Sequence, residues 1–269
     1  GVTSDAQNNT VAGSDAGDSF SGTDATNNTL FGKSSGTAIT SGDNNTCYGY
    51  DSGTAITTGE HNVFMGSSSG NAVTVGGKNI GIGKGALAGM QTGSNCVAVG
   101  YLALKVTTGA ANIGIGAQAG EALSTGWGNV IVGGWAASSN LTTGTGNNIM
   151  GYNSGNTLTT GSYNTILGNG DDSPPNTLTT GSNNTVIGHR AAVSSATVSN
   201  EITLGNTSIT KFRIPGLNFS IKDSTATDNY VLTVDANGDA GWEAASGTST
   251  GETYVKLNDA GSASNSGQQ

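Results

Sequence analysis

Residues 62–66 (NVFMG), 79–83 (NIGIG) and 184–188 (NTVIG) are copies of one short pattern, which runs from an Asn to a Gly. The residues between them are mostly apolar or β-branched, and the closing Gly returns after 16 to 20 residues, most often 17. A short period repeated about twelve times predicts a solenoid, in which each coil contacts only its neighbours. The closing glycines are Gly13, Gly32, Gly49, Gly66, Gly83, Gly100, Gly116, Gly133, Gly151, Gly168, Gly188 and Gly205.

The composition supports a repeat rather than an ordinary globular domain. The 269 residues include 45 Gly and only 5 Phe, and charged residues make up 10% of the chain. So few large apolar groups form a core only if a regular coil buries them efficiently. We expect the chain, which begins at Gly1 rather than Met, to be a processed or trimmed piece of a longer protein.

Each coil carries two landmarks. An Asn stands four residues before most of the closing glycines, and the residue just before the Gly is apolar throughout. About ten residues after the Gly comes an apolar residue, then two residues that are usually Thr, then another Gly, as in residues 56–59 (ITTG). We interpret these as two strands per coil, whose apolar positions stack into core columns. The Asn columns are expected to hydrogen-bond from coil to coil, and the closing glycines to form the corners. The Asn positions are Asn9, Asn28, Asn45, Asn62, Asn79, Asn112, Asn129, Asn147, Asn164 and Asn184.

The middle coils have a thin core, since the residue two before the Gly shrinks to Gly81, Ala98 and Gly114. We infer that such coils gain from packing against a neighbouring chain. A trimer of parallel rolls and a monomeric triangular β-helix are the competing solutions. The lack of a six-residue sub-period favours the trimer.

Several functions are disfavoured by the sequence. A net charge of −9 gives no basic cluster for nucleic acid or an anionic membrane, and no apolar run is long enough for membrane insertion. The two histidines, His61 and His189, lie over seven coils apart, so neither a catalytic triad nor a metal cluster can be assembled from them. We therefore expect no enzymatic activity and no cofactor. Cys47 and Cys96 lie three coils apart, ~14 Å by coil spacing, which predicts free, buried thiols.

Two adjacent threonine ranks are the best candidate functional surface. Exposed β-strand propensity explains them, and so do O-linked sugars or a flat ice-binding array of hydroxyls. Trp127 and Trp135 are candidates either for stacking on a sugar or for packing against another chain. The first rank is Thr40, Thr57, Thr74, Thr107, Thr142, Thr159 and Thr179, and the second is Thr58, Thr92, Thr108, Thr125, Thr143, Thr160 and Thr180.

The segments 79–83 (NIGIG), 95–100 (NCVAVG) and 184–188 (NTVIG) resemble the repeats of YadA-like trimeric adhesin heads. Residues 200–214 resemble the neck below such a head, and residues 230–242 are similar to an element of phage tail fibres and related trimeric fibres. The resemblance implies a left-handed parallel β-roll that forms a homotrimer, at an extracellular or virion-surface location. The 17-residue period is longer than the usual coil of these heads.

These observations predict an all-β chain with a solenoid over residues 1–205, a neck over 206–225, a β-hairpin over 226–246 turning at Asn237-Gly238, and a tail over 247–269. Residues 235–239 (DANGD) fit a calcium loop, but a plain hairpin turn explains them better, and we predict no metal. The expected function is a structural or adhesive fibre segment that binds a cell surface or carries a binding tip, with carbohydrate as a candidate partner. The alternatives are a subunit of a self-assembling, glycosylated head-to-tail filament and an ice-binding solenoid.

Overall fold

The computed structural model describes residues 3–20, 24–168, 170, 178–212, 230–234 and 240–244. Two compact units divide the chain, Gly1–Lys211 and Phe212–Gln269. The described residues form strands, turns and bends, and they contain no helix.

The described residues of the first unit form thirteen short strands in a single sheet. All but the first have three residues and end just before a closing Gly. The strands are β1 (Thr3–Ser4), β2 (Thr10–Ala12), β3 (Thr29–Phe31), β4 (Thr46–Tyr48), β5 (Val63–Met65), β6 (Ile80–Ile82), β7 (Val97–Val99), β8 (Ile113–Ile115), β9 (Val130–Val132), β10 (Asn148–Met150), β11 (Thr165–Leu167), β12 (Thr185–Ile187) and β13 (Ile202–Leu204).

Strands β2–β13 pair in parallel and in sequence order, so each coil adds one strand to the sheet. The register repeats without slippage, as in the pairing of Cys47 with Phe64 and of Phe64 with Gly81. This arrangement confirms the predicted all-β parallel solenoid. The prediction of two strands per coil is wrong, because the second landmark forms no strand in the described residues. A few backbone hydrogen bonds join it to the next coil, as from the Thr57 and Gly59 N–H groups to the Thr74 carbonyl, at 2.9 and 3.2 Å.

The core lies behind the middle residue of each strand. Leu30, Phe64 and Ile131 occupy this position and are buried. The prediction that the residue before the closing Gly faces the core is wrong, because a three-residue strand that turns its centre inward turns both ends outward. Phe31 and Tyr48 are accordingly exposed.

The second landmark supplies the opposite wall of the core, as predicted. Its apolar residues Ile39, Ile56, Val73, Met90, Leu123, Leu141 and Leu158 are fully buried. One position differs. Val106 is exposed and Thr107 is fully buried in its place, because this coil has one residue fewer between its two glycines.

The thin middle coils fill their core from within the chain. Leu87 and Leu104 are fully buried at a left-handed corner that Gly36, Gly53 and Gly70 occupy elsewhere. A Cβ on Gly114 would lie 2.6 Å from Leu104 Cγ, so no room is left for a larger strand residue. The buried leucines thus occupy core space that the small strand residues leave, and the expected gain from a neighbouring chain stays a prediction.

Two glycine columns allow the coils to stack closely. The closing glycines Gly32, Gly49, Gly66, Gly83, Gly116 and Gly133 have φ between 124° and 139°. The glycines after the second landmark have ordinary backbone angles but almost touch the next coil: a Cβ on Gly59 would lie 2.5 Å from the carbonyl oxygen of Gly76. Any side chain at this second column would push the coils apart.

The second unit contributes β14 (Tyr230–Val234) and β15 (Ala240–Ala244), which pair antiparallel as the predicted hairpin requires. Its turn and the calcium loop considered at residues 235–239 lie outside the described residues. So do the acidic and proline-rich insertion at 171–175, most of the predicted neck and the whole tail.

We predict that Gly59→Ala lowers the free energy of unfolding by about 1–3 kcal/mol, because the methyl group meets a rigid carbonyl of the next coil. Gly134→Ala is the matched control. Its Cβ would have only Tyr152 Cδ2 within 4 Å, at 3.8 Å, and its φ is not in the left-handed region. Urea denaturation followed by circular dichroism measures both. Equal stability of the two variants would contradict the close packing of the coils.

Candidate functional site

The asparagine column forms a buried hydrogen-bond ladder along the solenoid. Except at Asn79 and Asn184, each side-chain oxygen accepts the backbone N–H of the next Asn in the column, and in most steps its side-chain N–H as well. Asn45 donates to Asn28 Oδ1 from its backbone N at 2.9 Å and from Nδ2 at 3.1 Å. Its second amide hydrogen goes to the carbonyl oxygen of Gly59, at 2.9 Å. The buried Asn45 amide thus uses both donors and its acceptor, which offsets the cost of removing it from water. We call this column the Asn ladder: Asn9, Asn28, Asn45, Asn62, Asn79, Asn112, Asn129, Asn147, Asn164 and Asn184.

Cys96 interrupts the Asn ladder between Asn79 and Asn112. Its backbone N–H donates to Asn79 Oδ1 at 3.0 Å, as an Asn in this position would. Its thiol reaches the Gly109 carbonyl at 3.4 Å and the Ser94 carbonyl at 3.7 Å, and an Asn amide would form stronger bonds here. Burial raises the pKa of the Cys96 thiol, and the N–H groups of Asn112 and Ala111 act against that shift.

Cys47 lies elsewhere, at the inward position of β4, and burial raises its pKa to about 12. Both cysteines are free and buried, as predicted. A thiol of this kind stays protonated near neutral pH and is a poor nucleophile or metal ligand. Neither cysteine therefore indicates redox or catalytic chemistry.

An acidic residue stands at each end of the Asn ladder. Asp5 accepts the backbone N–H of Asn9 at 2.8 Å and its side-chain N–H at 2.9 Å, so it replaces the acceptor of a preceding coil. Glu201 takes the next Asn position after Asn184 and donates its backbone N–H to Asn184 Oδ1 at 2.9 Å. The side chain of Glu201 turns to Ser194 and Thr203 instead of continuing the ladder.

The first threonine rank is engaged with the backbone. Thr57 Oγ1 donates to the Thr74 carbonyl at 3.2 Å, and Thr159 Oγ1 to the Thr179 carbonyl at 3.0 Å. Thr142 and Thr179 repeat this contact with the next coil. These side chains are half-buried, so their hydroxyl hydrogens are already used.

The second rank is exposed at Thr58, Thr143, Thr160 and Thr180. The shortened coil shifts the ranks by one residue, because Thr108 rather than Thr107 donates its hydroxyl to the next coil, at 3.0 Å from the Ser124 carbonyl. The choice of Thr107 as a candidate surface or glycan residue is wrong, since it has no exposed surface. Sequence spacing alone does not show which of two adjacent threonines takes the core position.

The most extensive surface feature is the outer side of the sheet. We call the first and third residues of strands β2–β13 the outward face. None of these positions carries a charge; most are aliphatic or aromatic, and the others are Thr or Asn. Phe31 and Tyr48 stack there with ring centroids 4.9 Å apart. In β6–β9 both outward positions are Ile or Val in every strand. Sequence reasoning missed this face because it assigned half of these residues to the core.

The two tryptophans predicted as sugar or interface residues are both exposed and lie in different columns. Trp127 lies shortly before the ladder residue Asn129 in sequence, and Trp135 lies shortly after the closing glycine Gly133. His61 and His189 are also exposed and distant in the chain. Across the described ranges, no group of three or more His, Cys, Asp or Glu is placed to hold a metal ion. The same residues contain no helix of the length and hydrophobicity needed to cross a membrane.

No protein-family model matches the chain, and neither a curated protein nor a solved structure is detectably similar to it. The geometry of the chain itself is therefore the basis for a function.

We predict that Cys96→Asn stabilises the solenoid, because it lets the Asn ladder run through the interrupted coil. The gain is one or two side-chain hydrogen bonds, about 1 kcal/mol each. Asn62→Cys is the reverse variant and should lose a similar amount. Thermal denaturation measures both, and a stable Asn62→Cys protein would show that the ladder contributes little.

We predict that acid weakens the ends of the Asn ladder. The hydrogen bond from the Asn9 side chain lowers the pKa of Asp5, and those from Ser194 and Thr203 lower the pKa of Glu201. Because both pKa values are lower in the folded chain, the stabilisation is present above the unfolded values, near pH ~4, and is lost as the pH falls through the folded ones.

The variant Asp5→Asn tests this dependence. We expect it to melt at a lower temperature than the wild type at pH 7, with a difference that shrinks below about pH 4. Asp24→Asn, which changes an exposed carboxyl outside the Asn ladder, is the control. A difference that stays constant from pH 7 to pH 3 would rule out the proposed role of the Asp5 carboxylate.

Proposed function

We propose that this chain is a segment of a homotrimeric extracellular or virion-surface fibre, of the tail-fibre or adhesin-head kind, that binds a cell surface or carries a binding tip. One observation carries the proposal, namely the uncharged, largely apolar outward face. Parallel sheets in proteins normally have both faces covered, and large exposed apolar patches mark association surfaces. The number of chains follows the resemblance of the repeats to trimeric adhesin heads.

The outward face has the size of a stable interface. At a coil spacing of about 4.8 Å, its twelve strands extend over roughly 55 Å. A strip of that length and two side chains wide presents on the order of 800 Å² per chain, similar to what each partner buries in a stable complex. The lack of charge along the strip also removes the desolvation cost that a buried unpaired charge would impose.

The closed first end of the solenoid supports lateral association over head-to-tail polymerisation. β1 pairs antiparallel across the outer edge of β2, and Asp5 fills the acceptor position that another coil would need. A second molecule cannot simply continue the sheet and the Asn ladder at this end. The glycosylated-filament alternative therefore needs a joint elsewhere in the chain.

The ice-binding alternative has weaker support. A flat array of hydroxyls requires two free threonine ranks, but the first rank donates its hydroxyls to backbone carbonyls. Val75, which is 53% exposed, and Val106, which is 40% exposed, lie beside the ranks and break their regularity. A projecting fibre makes no comparable demand on this surface.

The oligomeric state tests the proposal directly. We expect the wild type to have a mass of three 26.5 kDa chains by multi-angle light scattering, and the double variant Val99→Asp, Ile115→Asp to have a mass of one. Burial of the two new carboxylates in a dry interface would cost several kcal/mol. Thr143→Asp, an exposed position outside the sheet, is the control and should remain a trimer.

Circular dichroism of the double variant checks that the solenoid is intact. We expect an unchanged spectrum, because both substitutions lie on the outer side of the sheet. A monomeric wild type contradicts the proposal, and so do open-ended polymers, which would favour the filament.

A further inference from the structure

Five side chains from four successive coils form a connected group on the surface beyond the closing glycines. The group combines two exposed aromatic rings with an amide, a carboxylate and an ammonium group. We call it the Trp135 cluster: Lys105, Gln118, Glu121, Trp135 and Tyr152.

A chain of polar contacts fixes the Trp135 ring. Its indole N–H donates to Gln118 Oε1, and Gln118 Nε2 donates to Glu121 Oε2. The other oxygen of that carboxylate lies 3.3 Å from Lys105 Nζ. The indole is therefore tethered through two coils although it is 44% exposed, and a tethered ring loses little entropy on binding.

Tyr152 completes an aromatic corner next to this ring. The Trp135 and Tyr152 ring centroids lie 5.6 Å apart with an interplanar angle of 77°. Gly134, which lies between the closing glycine Gly133 and Trp135, leaves the adjacent surface open, since a Cβ there would have only Tyr152 within 4 Å. The result is two ring faces at nearly a right angle beside open space.

Burial does not account for a tryptophan at this position. The backbone of Trp135 is left-handed, with a φ of 53°, at a corner where other coils place Asp15, Ser34, Leu102 or Gln118. A bulky side chain in this conformation costs of order 1–2 kcal/mol, which Asn, Asp and Gly largely avoid. Because the ring is also exposed, burial does not repay that cost.

We propose that the Trp135 cluster binds a saccharide, and this rests on the proposed function because the cluster would be where the fibre contacts a cell surface. A pyranose ring has an apolar C–H face that stacks on an aromatic ring and hydroxyls around its rim. The amide, carboxylate and ammonium groups of Gln118, Glu121 and Lys105 supply donors and acceptors for those hydroxyls. Successive coils ~4.8 Å apart, close to the length of one sugar unit, allow the site to follow a chain of sugars.

A printed panel of defined neutral and acidic oligosaccharides, followed by calorimetry with the best binder, tests the site. We expect Trp135→Asn to weaken binding at least tenfold, while Asn preserves the left-handed corner. Tyr152→Ser, which does not touch that corner, should also weaken it. Trp127→Asn is the matched control, an exposed tryptophan 57% accessible in a different column, and should bind within twofold of the wild type.

Light scattering on the same samples separates this proposal from the assembly. A Trp135→Asn trimer that no longer binds sugar supports the site. A monomeric wild type that still binds through Trp135 contradicts the trimeric fibre and supports the site. If the wild type binds nothing on the panel, or if Trp135→Asn and Trp127→Asn weaken binding equally, the proposal is overturned.

Discussion

The fold depends on close vertical contact between coils, which the Asn ladder and two glycine columns make possible. No coil has a core of its own, because its few inward groups complete a core only with those of the coils above and below. The ladder adds a polar constraint: Asn45 must find Asn28 on one side and Gly59 on the other. A buried amide without these partners would cost more than its hydrogen bonds contribute. The register of the stack is therefore fixed one coil at a time.

The contacts that hold the stack together place few constraints on the side chains outside the solenoid. Inward positions are held by packing and the Asn ladder, so outward side chains can vary without affecting the stack. Since folding does not restrict these outward residues, it does not explain why twelve strands carry no charge on this face. The same holds for Trp135, whose conformation is unfavourable and whose ring is exposed. The surface features that stability does not explain are the ones to which we assign function.

The period, the parallel stacking and the Asn column could be predicted from the sequence because each repeats about twelve times. The side of each strand that faces the core could not be predicted. Alternation of apolar and polar residues normally shows which side is buried, but Val97, Ala98 and Val99 are all apolar, so three residues give no signal. Single departures from the repeat were also hidden. The deletion that buries Thr107, the replacement of an Asn by Cys96 and the capping by Asp5 depend on local geometry, and each occurs once.

The ends of the Asn ladder determine how such a molecule can associate. A ladder of amides has a direction, since each side-chain oxygen accepts from the next coil. The N–H donors of the first Asn therefore need an acceptor, and without one they would be open to pairing with another chain. The Asp5 carboxylate accepts these hydrogen bonds and has no donor to offer a further coil. The antiparallel strand β1 covers the outer edge of β2. With growth along the axis blocked at this end, the outward face is the broad apolar surface left for contact. In the proposed side-by-side assembly, copies of the Trp135 cluster would lie at fixed spacing, and several weak sugar contacts made together bind far more tightly than one.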